Sequence, residues 1–167
     1  WFKIGLSNLE RAGYGDIIEH HDMKSHEALP QLLSKGQKID FAFIDGWHTF
    51  DYAFVDFFYI DKMLNVGGVV VFDDAGWPSL RKLCRYIAAN YSYSIVGSMY
   101  PINDGRKSIK RLLVHKLLKT PWAAKKMWYY FSPEVLETDF DLGLNGSCIA
   151  FKKESEDTRR WDFHKPF

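Results

Sequence analysis

Two short stretches bring together side chains able to do chemistry: Asp45-Gly46-Trp47-His48 and Asp73-Asp74. Each follows an apolar run, residues 41–44 and 69–72. Unbroken apolar runs of this length, the second strongly β-branched, read as strands buried on both faces. The acids then fall just past two strands, on one edge of a sheet. If the strands are neighbours, the carboxylates of Asp45, Asp73 and Asp74 converge. Carboxylates that close repel each other, and a divalent cation relieves the repulsion. Hard cations such as Mg²⁺ take oxygen ligands of this type. Asp is also a turn former, which accounts for any one of them at a strand end. Three acids at two strand ends favour the cation site. His48 follows three residues after Asp45. Imidazole can take a hydroxyl proton near neutral pH, so His48 is a candidate base; the competing reading is a hydrogen-bonded structural histidine. His20 and His21 precede Asp22 at another strand end, which reads as a polar terminus, with a second metal site as the competing reading.

The positioning elements follow from periodicity. Residues 1–12 read as a helix with Phe2, Ile4, Leu6 and Leu9 on its apolar side, stopped by Gly13 and Gly15. Residues 16–21 read as a short strand. Ser25 can cap a helix through Leu33 that Gly36 ends. Residues 50–64 are helical by period, with Phe54, Phe57, Phe58 and Leu64 as the expected buried stripe. Residues 65–68 form a turn, Pro78 suits the first turn of a helix to about residue 90, and 93–99 and 147–151 read as strands. This alternation predicts an α/β fold: a mostly parallel sheet with helices on both faces, binding ligands at the carboxyl ends of its strands.

The run Phe41-Ala-Phe-Ile-Asp-Gly-Trp-His48, a helix, and then Leu64-Asn-Val-Gly-Gly-Val-Val-Val-Phe-Asp-Asp74 resembles the fourth and fifth strands of class I S-adenosylmethionine-dependent methyltransferases. It is closest to those with an IDG-x-H…GG…DD pattern, and is similar to catechol O-methyltransferase and its metal-dependent relatives. The resemblance implies a Rossmann-like methyltransferase fold. It also implies Asp45, Asp73 and Asp74 as ligands of a divalent cation, Mg²⁺ foremost, and His48 at the place of the family's base. Ser25 and His26 match the segment that faces the cofactor's adenine. Gly46 and Trp47 also match its adenine side, and Asp22 borders it. A plain helix cap remains the competing reading for Ser25, and a core ring for Trp47. The implied chemistry is S-adenosylmethionine-dependent, metal-assisted O-methylation of a small hydroxylated substrate. Some proteins with the same strand-end acids are described as hydroxylases, and a non-catalytic fragment acting as a binding or self-association module is the main alternative.

The family's glycine-rich turn after the first strand, and the acid ending the second, have no counterpart here. Gly13 and Gly15 do not qualify, because a strand and not a helix follows them. The expectation is therefore a single partial domain, residues 1–167, lacking the first strands of the sheet. Open strand edges are then expected to promote a homo-oligomer, and the cofactor to bind weakly to this chain alone.

The bulk properties limit the partners. At 47% hydrophobic and 26% charged residues with net charge +1, the chain is an ordinary globular sequence with no overall pull toward polyanions, and nucleic acid is not expected. Two cysteines without metal-like spacing indicate a reducing, cytoplasmic setting. An insert at about 101–140 concentrates basic residues between Arg106 and Lys126 with Trp122, Trp128, Tyr129 and Tyr130. It reads as a lid over the substrate, a membrane-surface or anionic-partner element, or a solvated basic helix.

Overall fold

The computed structural model describes residues 2–101, 120, 139, 142–144 and 146–167. The order is α1 (Phe2–Arg11), a 3-10 turn (Gly15–Ile17), α2 (Ser25–Ser34), β1 (Ile39–Ile44), α3 (Phe50–Met63), β2 (Leu64–Phe72), α4 (Pro78–Asn90), β3 (Tyr93–Pro101) and β4 (Gly146–Lys153). The strands lie in the order β1-β2-β4-β3. β1 and β2 pair in parallel, and β4 runs antiparallel to both β2 and β3. Hence β1, β2 and β3 share one direction, as helix-connected strands do, and β4 alone is reversed. This mixed α/β sheet with flanking helices is consistent with a methyltransferase Rossmann-like fold.

The core lies on one face of the sheet. Ala42, Ile44, Val70, Phe72, Ile149 and Phe151 alternate inward and meet Phe57 and Ile60 of α3 and Leu83 and Ile87 of α4. Phe72 packs on Phe57 and on Phe151, both with centroids 6.0 Å apart. Each such ring contributes about 1.5–3 kcal/mol by leaving water. α3 and α4 also touch each other, the edge of Phe54 meeting Tyr86 at 5.6 Å. The opposite face is less covered than expected: Phe41, Phe43 and Val96 are 61%, 53% and 53% exposed.

Three local expectations change. Residues 16–21 form no strand; the 3-10 turn ends at Ile17, which is 79% exposed. A strand exists only through its ladder, and among the described residues this segment has no strand beside it. β2 begins earlier than expected, at Leu64, because the turn at 65–68 is absorbed as a bulge. Ile39 pairs with Leu64 but Phe41 with Val69, and Gly67 takes φ 89 at the irregularity. On α3, Phe58 faces solvent beneath Lys62, while Ala53, Ile60 and Met63 join Phe57 inside.

The edge of the sheet away from the strand-end acids is tied by Lys153. Its side chain is only 1% exposed, and Nζ donates to the carbonyls of Asp61 and Leu64 at 2.7 and 3.0 Å and to Glu156 Oε2 at 2.7 Å. The Tyr93 hydroxyl donates to Asp61 Oδ1 at 2.8 Å. The end of β4 is thereby fastened to the α3–β2 junction.

Candidate functional site

Ile44 of β1 pairs with Phe72 of β2, so Asp45 and Asp73-Asp74 leave the sheet at the same rim. The Asp73 amide donates to the Ile44 carbonyl at 3.1 Å and holds the two strand ends together. Asp74 takes φ 49, a left-handed conformation that Asp tolerates better than most residues. Past the rim, His48 Nε2 stands 3.4 Å from Asp74 Oδ2 and 3.8 Å from Asp45 Oδ1. The Nε2 atom is buried and has no hydrogen-bond partner. Asp73 goes elsewhere, lying near enough to Cys148 on β4 to add to the effect of burial in raising that thiol's pKa.

The sequence led us to expect Asp45, Asp73 and Asp74 around one cation. The rim is shared, and Asp45 and Asp74 flank one imidazole. The charge of Asp73 acts on Cys148, and among the described residues no three His, Cys, Asp or Glu side chains are placed to hold a metal ion.

The residues expected on the adenine side meet around α3. Ser25 is the first residue of α2; Lys24 occupies the cap position, and no side chain caps the helix. The Ser25 side chain instead lies near enough to Asp56 of α3 to lower that carboxyl's pKa. His26 meets the edge of Tyr52 with centroids 5.7 Å apart, and Trp47 leans on the same ring at 6.0 Å. A methyl group added at Gly46 would stand 3.3 Å from Asp56 Oδ2, so the loop passes close over α3 there. Trp47 is 70% exposed, which excludes the core-ring reading. Asp22 is exposed in the segment before α2.

Asp56 is buried, and its Oδ1 has no partner. Burial raises its pKa above the usual carboxylate value, against the opposing effect of the Ser25 side chain and the charge of His26. Sequence reasoning passed over Asp56, although an acid on the face of α3 next to the buried Phe57 is a visible anomaly. It also passed over Trp77, four residues after Asp73. Trp77 closes an open cleft of about 400 Å³ together with Gly46, Trp47, His48 and Thr49. The basic and aromatic insert lies outside the described residues apart from Pro101, Thr120 and Asp139. Asp139 pairs with Arg81 and Arg85 of α4 at 3.5 and 2.9 Å.

Comparison with known proteins bears on this rim. Residues 5–75 match the model of a family described as a methyltransferase domain. The match supports a methyltransferase domain over that stretch. The chain is also similar to an uncharacterized protein of Acanthamoeba polyphaga mimivirus, with 30% identity over 116 residues. That alignment covers 61% of this chain and 52% of the viral protein, so the chain spans about half the length of its relative. Among the described residues, no helix is long and apolar enough to cross a membrane.

Proposed function

We propose that these residues form the acceptor-side rim of an S-adenosylmethionine-dependent methyltransferase that methylates a hydroxyl of a small substrate, with His48 as its base. One observation carries the reading: an imidazole nitrogen, buried and unpartnered, stands between two carboxylates beside the cleft walled by Trp47 and Trp77.

The cofactor supplies a methyl group already activated on a sulfonium. The chain's part is to orient the hydroxyl and accept its proton as the oxygen takes the methyl group. The His48 imidazole receives the proton, and Asp45 and Asp74, which face its Nε2, stabilise the imidazolium that forms. The exposed face of Trp47 offers the purine a stacking surface. Gly46 keeps the loop bare of a side chain where it passes α3, and Ser25 and His26 border the same place. These residues fit an adenine. The cation expected from sequence fits less well, because among the described residues no three His, Cys, Asp or Glu side chains are placed to hold one.

A second reading, a binding or self-association module, draws on exposed Phe41 and Phe43 of edge strand β1. Photolabelling separates the two. Irradiating the protein with radiolabelled S-adenosylmethionine is expected to mark the peptide containing Trp47, with unlabelled cofactor competing. Absence of competable label, together with concentration-dependent association, would favour the module.

A further inference from the structure

We infer that Trp77 and Ser79, at the start of α4, are positioning residues that fix the ring and the backbone of His48. The inference rests on the reading of His48 as the base. Pro78 begins α4 and restricts the residue before it to extended backbone; Trp77 accordingly has φ −68 and ψ 140. The Trp77 amide donates to the Asp74 carbonyl at 2.9 Å, closing the turn that leaves β2. That turn brings the indole and the Asp74 carboxylate to His48 together. The imidazole runs nearly parallel to the indole in an offset stack, with planes 11° apart and centroids at 6.1 Å. The Ser79 hydroxyl donates to the His48 carbonyl at 2.5 Å.

The two contacts do different work. The Ser79 bond anchors the loop after β1 to α4 and sets where the His48 backbone stands. The stack restricts rotation about the imidazole's side-chain torsions, and so keeps Nε2 turned toward Asp45 and Asp74. Trp77 is 57% exposed, a large ring left open to solvent at the mouth of the cleft. Core packing does not account for a ring so exposed, whereas holding a neighbouring imidazole does.

The test uses the intact protein with histidine-labelled NMR and a methyl-transfer assay with catechol as the acceptor probe. In the wild type, the His48 ring protons are expected upfield of the other histidines, shifted by the indole. Trp77→Leu should abolish that shift and lower kcat by about fivefold, as expected from losing one ring contact, while the KM for cofactor stays unchanged. Trp77→Phe should restore both. Ser79→Ala should lower kcat in the same way with a smaller change in the ring shift. The inference is overturned if Trp77→Leu keeps the upfield shift, or loses it with kcat unaltered. The spectroscopic arm needs no acceptor, so it decides the stack even if catechol is not methylated. His48→Gln methylating as fast as wild type would overturn the base itself, and that outcome is separate from a failure of the stack.

Discussion

His48 Nε2 lies 3.4 Å from Asp74 Oδ2, a histidine from the loop after β1 facing an acid from the loop after β2. The pair exists because two parallel strands end level with each other. It implies that the carboxylate acts through the imidazole. Asp74→Asn should lower kcat roughly tenfold, and the double variant with His48→Gln should be no slower than His48→Gln alone. Kinetics of the three variants would show the coupling; simple multiplication of the two losses would mean that Asp74 acts independently.

Lys153 is expected to be the costliest single cation to remove. Its ammonium is buried with three oxygen acceptors, and Lys153→Ala leaves two carbonyls and a carboxylate without their donor. The expected loss is about 3 kcal/mol, or roughly 10 °C in Tm for a chain of this size. Glu156→Gln, at the exposed end of the same cluster, should cost much less. Thermal denaturation followed by circular dichroism would compare them.

Asp56 gives a pH signature. Burial raises its pKa above the ordinary 3.8, so the folded state holds the proton more tightly than the unfolded chain. Stability therefore falls as pH rises from 3.8 through the folded value, and the cost is complete above it. Asp56→Asn should melt higher than wild type at pH 7, with the difference closing as pH is lowered toward 3.8. A gain that is the same at both pH values would show that ionisation is not its cause.

The two cysteines should separate in alkylation. Burial pushes the Cys84 thiol up to about 12, so at pH 8 it carries almost no thiolate and no path to reagent. Cys148 is partly exposed beside Asp73 and should react first, more slowly than a free thiol. Mass mapping after timed iodoacetamide would rank them, and Asp73→Asn should speed Cys148.

How far the sequence could be read depended on the range of the interaction. The rim was legible because buried apolar runs end in acids at 45 and 73–74, and parallel neighbours bring such ends together. Which way those acids turn was not legible. The left-handed backbone at Asp74 has no signature in the residue type alone, and the effect of Asp73 on Cys148 needs β4 beside β2 in the sheet. Ser25 has the type of a helix cap, yet it caps nothing, and the carboxyl it acts on, Asp56, lies on another helix. Phe58 satisfied the apolar period of α3 as well as Phe57 did, yet only Phe57 faces Phe72. Residues 16–21 had the apolar content of a strand, but content does not provide a neighbouring strand to pair with.

The most direct test of the account is the initial rate of methyl transfer from labelled S-adenosylmethionine to catechol by the intact protein, wild type against His48→Gln, at saturating cofactor and with excess chelator. The account predicts a loss of about 100-fold or more in His48→Gln, with wild-type activity retained under chelator. His48→Gln within twofold of wild type, or wild-type activity abolished by chelator and restored by Mg²⁺, would contradict it.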